Sequence, residues 1–181
     1  NMSLTSDIGK LIISDVIVND GTLKLSGTEA TLTTKITNSA DNKGTLQIAN
    51  NSSITNADGN KIQQNNIIVQ SANFKANVTD LTVYSTFTNN GTTELVTSAN
   101  DTIGYAIDGS ANGKLTISGS GKLNVTGTIA QKELTIANGA NLIIDANNLT
   151  IGNSEGISNS GKLTLTGTDK TLEEIIAGTG T

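Results

Sequence analysis

Several residue types with distinctive chemistry are missing from this 181-residue chain, which contains no Cys, His, Pro, Trp or Arg. Without Cys or His there is no disulfide framework and no site of the usual zinc type. The chain also lacks an imidazole that could act as a base near neutral pH, and a guanidinium that could grip phosphate or carboxylate. These absences predict a protein that is not an enzyme, with no catalytic residues, no metal and no cofactor.

Positive charge is scarce as well. Sixteen acidic residues against eleven Lys give a net charge of −5, and the Lys residues form no basic run. Because nucleic-acid binding depends on neutralising phosphates, we expect no nucleic-acid partner. No apolar run reaches the length of a membrane span, so this segment is predicted not to span a membrane, and no signal peptide is visible.

Four residue types, Thr, Asn, Ser and Gly, supply 86 of the 181 residues. Such a composition occurs in disordered chains, but 44 residues are Ile, Leu or Val, a larger share than disordered chains carry. These aliphatic residues alternate with polar ones in short runs such as Leu23-Lys24-Leu25 and Leu163-Thr164-Leu165. Alternation with period two indicates strands with one buried face.

One unit recurs along the chain: Gly, then Thr or Lys, then an aliphatic–polar–aliphatic triplet, then a small or polar turn. Clear copies lie at 21–28, 44–48, 113–119, 121–128 and 161–168, and degenerate copies begin at Lys132, Asn141 and Asn148. The leucines of successive copies are about 20 residues apart, with a second spacing of about 8 residues interleaved. Three short strands therefore fit into each repeat.

This period predicts an all-β fold, a right-handed single-stranded parallel β-helix (a β-solenoid) with about 20 residues per coil and roughly nine coils. Residues 1–181 form a single domain in this interpretation, a segment of a longer exported protein. The interior is expected to be narrow and aliphatic, with little room for large rings. The missing Pro fits, because Pro would delete a hydrogen bond from strands that are paired on both sides.

Two segments depart from the repeat. Residues 62–107 hold all four aromatic residues and are expected to form less regular coils. Residues 169–181 are expected to form an irregular last coil or a short helical turn, because Thr171 and Glu174 match the capping-box spacing.

Two motifs resemble ligand-binding loops. Gly156-Ile157-Ser158-Asn159-Ser160-Gly161-Lys162 has the spacing of a phosphate loop, but Leu163 replaces the Ser or Thr that holds Mg²⁺, and a strand pattern follows. Asn56-Ala57-Asp58-Gly59-Asn60 alternates oxygen ligands around a Gly, but lacks the bidentate Glu of a calcium loop. We interpret both motifs as turns.

The Gly-x-Leu-x-Leu/Ile-x-Gly units, the coil length and the Asn/Thr/Gly bias resemble large bacterial surface proteins. The chain is similar to the β-helical passengers of autotransporters and to filamentous-haemagglutinin-like adhesins, best over residues 110–168. The resemblance implies a non-catalytic adhesin or stalk module that is extracellular, at the bacterial cell surface or secreted. Its implied partners are host glycans, matrix proteins or further copies of itself, and the residues that bind them are not assigned.

Two other functions stay open at this point. The first is a polysaccharide lyase or glycoside hydrolase on the same fold, although the acidic residues are spread along the chain and only Glu173 and Glu174 are adjacent. The second is a pilin or surface-layer structural domain of the β-sandwich type, with a possible Lys–Asn isopeptide link. The repeat of about 20 residues argues against a sandwich.

Overall fold

The chain folds into a β-solenoid of parallel coils that stack about 20 residues apart, with about seven turns. This architecture is seen in a computed structural model that describes residues 16–27, 29–152, 156–168 and 175–181, without the side chains of Ala30 and Ser110. The predicted β-solenoid is therefore confirmed, and a β-sandwich is not what the chain adopts. The number of coils is below nine for two reasons. Residues 1–15 lie outside the described ranges, and some coils are longer than the repeat, such as the coil that separates Ile36 from its register partner Ile62.

Strands occupy most of the described residues. They are β1 (Ile17–Val18), β2 (Thr22–Ser26), β3 (Glu29–Leu32), β4 (Ile36–Thr37), β5 (Thr45–Ala49), β6 (Ser53–Asn56), β7 (Ile62–Asn77), β8 (Leu81–Thr97), β9 (Asn100–Ile103), β10 (Ala106–Gly119), β11 (Lys122–Val125), β12 (Ile129–Ile136), β13 (Asn141–Asp145), β14 (Leu149–Ile151), β15 (Ile157–Asn159), β16 (Lys162–Thr166) and β17 (Ile176–Ala177). Single 3₁₀ turns lie at Val78–Asp80 and Ala146–Asn148. Residues 169–174, which include the capping-box pattern, lie outside the described residues.

The strands form three faces. The first face contains β1, β4, the first residues of β7 and β8, and then β9, β11, β13 and β16. The second contains β2, β5, the middle of β7 and β8, and then parts of β10 and β12 and all of β14. The third begins with β3 and β6 and ends with β15 and β17. Long strands such as β7 run around a corner from one face to the next.

The core consists of columns of inward side chains. On the second face one column is in register through seven coils and is buried throughout: Leu23, Leu46, Ile67, Phe87, Ile107, Ile129 and Leu149. Burial of each aliphatic side chain contributes about 1.5–3 kcal/mol, so a continuous column is the main stabilising element of the fold.

Large rings do enter this core, contrary to the expectation of a narrow interior with little room for them. Phe74 and Phe87 are buried, and their ring centroids are 6.2 Å apart in an edge-on arrangement. The Phe87 and Tyr105 centroids are 6.3 Å apart. Space is available because the column neighbour of Phe74 in the next coil is Thr93, a smaller residue that is fully buried.

The Tyr105 hydroxyl group is buried and has no hydrogen-bond partner in the part of the chain that the structure describes. Burial raises the pKa of this phenol well above its ordinary value. A buried hydroxyl without a partner has lost its hydrogen bonds to water and gained none in return, which costs stability.

We therefore predict that Tyr105→Phe increases the free energy of unfolding by about 1 kcal/mol, because it removes this unpaired group while the ring packing stays. Urea denaturation followed by circular dichroism measures the change. Tyr84→Phe is the control, since the Tyr84 side chain is exposed and hydrogen-bonds Asp41. A Tyr105→Phe protein less stable than the wild type would show that the hydroxyl has a stabilising partner.

Two buried amide pairs connect coils that are not neighbours. Asn19 Nδ2 donates to Gln64 Oε1 at 2.6 Å, and Asn89 Nδ2 donates to Gln131 Oε1 at 2.7 Å. In each pair the Gln Nε2 donates to a backbone carbonyl in the intervening coil, Thr37 O in the first and Ile107 O in the second. The two pairs satisfy most of their polar groups inside the core, as buried amides must.

A glycine lies between the two members of each amide pair. A Cβ atom on Gly44 would lie 2.5 Å from Gln64 Oε1, and one on Gly113 would lie 2.4 Å from Gln131 Oε1. On Gly109 it would lie 1.7 Å from the Asn89 carbonyl oxygen. The pair can therefore form only if the coil between its two members carries glycine at this corner.

We predict that Gly109→Ala lowers the free energy of unfolding by about 3 kcal/mol, because the added methyl group must displace backbone and the Asn89–Gln131 pair. Gly104→Ala is the matched control, since a Cβ there meets only Thr126 Oγ1 at 3.5 Å. Thermal denaturation compares the two proteins. Equal stability of the two variants would contradict the role assigned to Gly109.

Candidate functional site

The motif with phosphate-loop spacing forms a strand and a corner. Ile157–Asn159 is β15, and β16 begins at Lys162, so a strand follows the lysine where a phosphate loop would open a helix. Asn159 Oδ1 accepts a hydrogen bond from Gly161 N at 3.1 Å, which closes the turn onto itself. The last two residues of the motif, Gly161 and Lys162, line a groove at this corner.

The calcium-loop-like motif forms a turn that is tied to the next coil. Asn56 Nδ2 donates to Asn60 O at 2.6 Å across the turn. Gly59 N donates to Asp80 Oδ2 at 2.7 Å, and Asn77 Nδ2 donates to Asp58 Oδ1 at 2.8 Å. The carboxylates thus take part in contacts between coils. In the part of the chain that the structure describes, no group of three or more Asp or Glu residues is placed to hold a metal ion.

A groove of about 550 Å³ lies at the corner between the third and first faces, and we call it the corner groove. Four consecutive coils line it with the segments Ser98–Asn100, Ser120–Lys122, Asn138–Asn141 and Ser160–Lys162. The groove is open to solvent along the stacking direction.

Small residues create the corner groove. Each coil passes this corner through Ser, Ala, Gly or Asn, which add little volume outside the backbone. Two of the glycines are required by close packing: a Cβ on Gly121 would lie 2.3 Å from Ala99 O, and one on Gly161 would lie 2.4 Å from Ala137 O. Since no larger residue fits at these positions, the corner stays concave.

Charged and amide side chains form one wall of the corner groove. Asn100, Lys122, Asn141 and Lys162 occupy equivalent positions in β9, β11, β13 and β16 and are in register. The ion pairs seen within the described ranges involve Lys43, Lys75 and Lys114 and do not include the two groove lysines. The groove therefore presents two ammonium groups without a carboxylate partner in the described structure.

Asn141, between the two lysines, also has unused hydrogen-bonding capacity. Its Oδ1 atom is buried and has no hydrogen-bond partner among the described residues. The serine hydroxyls of Ser98, Ser120 and Ser160 recur along the groove, one in each of three coils. The lining is thus rich in groups that hydrogen-bond to hydroxyl, amide or carboxylate groups of a ligand, and it contains no aromatic ring.

Asp101 lies next to this wall but belongs to the inward column. It pairs with the buried Leu123 of the next coil, and its Oδ2 atom is buried with no hydrogen-bond partner within the described ranges. Burial raises the pKa of this carboxyl above its ordinary value, while a hydrogen bond with the Ala99 backbone acts in the opposite direction. The Asp101 carboxylate thus occupies a position in the inward column that aliphatic residues occupy in the following coils.

We predict that Asp101→Asn increases thermal stability at pH 7 and that the gain disappears at low pH. A carboxyl with a raised pKa in the folded state binds its proton more tightly there than in the unfolded chain, so stability falls as pH rises from 3.8 through the folded pKa. Replacement of the carboxyl group by an amide removes this pH-dependent loss of stability. Denaturation at pH 7 and at about pH 3 measures it.

Asp108→Asn is the control for that experiment, because Asp108 is exposed and the substitution removes the same charge from a chain of net −5. A gain at pH 7 that is equal in both variants would mean that net charge, and not burial at position 101, is responsible.

Sequence comparison with protein-family models and with curated proteins gives no match, and comparison with solved structures gives none either. None of the helices in the described residues is long and apolar enough to cross a membrane.

The corner groove is not among the sites predicted from the sequence. A signal is present, since Ser-Gly-Lys occurs at 120–122 and again at 160–162, with Asn100 and Asn141 at the alternating positions. The repeat is clearest in its leucines, however. When the copies are aligned on these leucines, the polar residues before each strand are interpreted only as turns. Only the stacking of four coils shows that these turns line one surface.

Proposed function

We propose that the chain is a non-catalytic attachment module, an adhesin or stalk segment of a bacterial cell-surface or secreted protein that resembles autotransporter passengers. The observation that carries this proposal is the corner groove, a polar surface that continues through four coils of a rigid stack. A binding surface that extends along a solenoid suits an extended ligand, because repeat architectures present long concave surfaces. The same stack separates the ends of the segment, as a stalk requires.

The lining of the corner groove favours binding over hydrolysis. Glycoside hydrolysis uses two carboxyl groups that flank the scissile bond. Among the described residues, those that line the groove are Ser, Ala, Asn, Gly and Lys, with no Asp or Glu. The neighbouring carboxyl of Asp101 belongs to the inward column. The groove has side chains that can hydrogen-bond to a polysaccharide, but among the described residues it lacks the pair of carboxyl groups that would hydrolyse one.

Self-association is the other mode of attachment that we include in the proposal. Parallel strands at the ends of a stack have unpaired backbone groups, and such edges pair with other chains. Sedimentation velocity at increasing protein concentration distinguishes this mode from attachment to a foreign surface.

Attachment is tested with fluorescent beads that carry the purified chain, which are applied to immobilised glycans and matrix proteins. We expect the beads to bind, and we expect Ser120→Tyr to reduce binding about tenfold, since the ring would fill the corner groove at a cost of about 1.4 kcal/mol. Ser85→Tyr is the control, because Ser85 is exposed and does not line the groove.

The enzyme alternative is tested on the same material. The chain is incubated with a panel of neutral and acidic polysaccharides, and new reducing ends and unsaturated sugars are measured. We expect no turnover. Cleavage that Ser120→Tyr abolishes would replace the attachment function with a lyase or hydrolase function at the same groove.

A further inference from the structure

We propose that the corner groove binds an anionic polysaccharide whose carboxylates are widely spaced, about one per disaccharide. This inference rests on the proposed attachment function and names its ligand class. It depends on Lys122 and Lys162 as the charged contacts and on the amide and hydroxyl groups between them as the hydrogen-bonding contacts.

The two groove lysines differ from two lysines of the third face that have glutamate as a column neighbour. On the third face, Lys75 is in register with Glu94 and their charged atoms are 2.9 Å apart; Lys114 and Glu133 repeat this arrangement at 3.0 Å. On the wall of the corner groove, Lys122 is in register with Asn100 and Asn141. Two positive charges are therefore left without a negative neighbour in their column.

The spacing of the two lysines selects the ligand. Lys122 and Lys162 are separated by one coil, which carries Asn141, so their backbones are about 10 Å apart at a strand spacing of about 4.8 Å. This distance is close to the length of a disaccharide. A polysaccharide that runs along the groove can thus bring one carboxylate to each lysine and place a neutral sugar over Asn141.

The groups between the lysines suit a neutral sugar. Ser120, Asn138, Asn141 and Ser160 offer hydroxyl and amide groups that both donate and accept hydrogen bonds, as sugar hydroxyls require. Lysines supply charge without the rigid fork of arginine, so they tolerate the varied orientations of carboxylates on a flexible polymer.

A nucleic acid fits these features poorly. Its strands carry one negative charge about every 3.4 Å, roughly three for each lysine interval in the groove. The chain as a whole has a net charge of −5, which repels a dense polyanion. The groove also lacks aromatic rings, on which proteins commonly stack single-stranded bases.

The test uses isothermal titration calorimetry with hyaluronan decasaccharide, which has one carboxylate per disaccharide. We expect the wild-type chain to bind it, and we expect carboxyl-reduced hyaluronan to bind about tenfold more weakly. The double variant Lys122→Gln/Lys162→Gln should lose about tenfold in affinity and most of the salt dependence.

Two further variants make the test specific. Lys35→Gln/Lys61→Gln removes the same charge from exposed residues outside the corner groove and should change affinity less than about twofold. Asn141→Asp places a carboxylate between the two lysines and should abolish binding by a chain that circular dichroism shows to be folded. Equal losses in the two double variants, or undiminished binding by Asn141→Asp, would overturn the proposal.

The remaining outcomes separate this inference from the attachment function. If an oligothymidylate binds as tightly as hyaluronan and loses affinity in the same lysine variant, the groove is a general polyanion site and the inference is wrong. If beads still attach with the lysine variant but not with Ser120→Tyr, the attachment function stands and its ligand is neutral. If no surface binds the beads, hyaluronan titration still decides the ligand class in solution.

Discussion

Parallel pairing of each coil with the next is the interaction on which the rest of this structure depends. Strands in register place every side chain beside its equivalent in the neighbouring coil, about 4.8 Å away. Inward positions are then most stable when they are apolar in coil after coil, as in the column from Leu23 to Leu149. The same rule acts on the outside, where a charged residue lies beside whatever the next coil carries at that position. Core, corners and surface are thus determined by columns and not by separate contacts.

The buried amides show how this rule accommodates polar groups inside the stack. Asn89 and Gln131 are both fully buried and belong to coils that are not adjacent. Their side chains meet because Gly109 and Gly113 leave space in the coil between them. An isolated buried amide would be destabilising, whereas the groups of a pair that also hydrogen-bonds to backbone carbonyls have partners. Such a pair also specifies which two coils lie on either side of a third. A stack of similar repeats needs such a marker, since a slip by one coil would otherwise preserve most apolar contacts.

The sequence predicts the fold well because the column rule leaves a local trace. Leu123-Asn124-Val125 and Leu142-Ile143-Ile144 can be aligned by inspection, and they do pair in register. The buried rings leave no such trace, and the corner groove leaves only the repeated Ser-Gly-Lys of its turns. Phe74 fits inside because Thr93 is its neighbour 19 positions later, and Asn89 meets Gln131 over 42 positions. Interactions of this kind depend on the turn lengths that bring two residues to the same corner. Irregular coils, such as the one from Ile36 to Ile62, prevent these contacts from being predicted from residue spacing alone.

Charge on the outer surface follows the same column rule, and this is why the two groove lysines are informative. A lysine beside a glutamate, as at Lys75 and Glu94, gains a modest interaction, typically below about 1 kcal/mol at an exposed site. Two lysines about 10 Å apart in water repel each other by only about 0.4 kcal/mol, so the stack tolerates them at little cost. Folding therefore neither requires nor forbids Lys122 and Lys162. Their alternation with Asn100 and Asn141 is not explained by strand stability, because Thr would serve the strands better. A ligand that spans alternate coils accounts for the pattern: it would place a negative group at every second position and hydrogen bonds at the positions between.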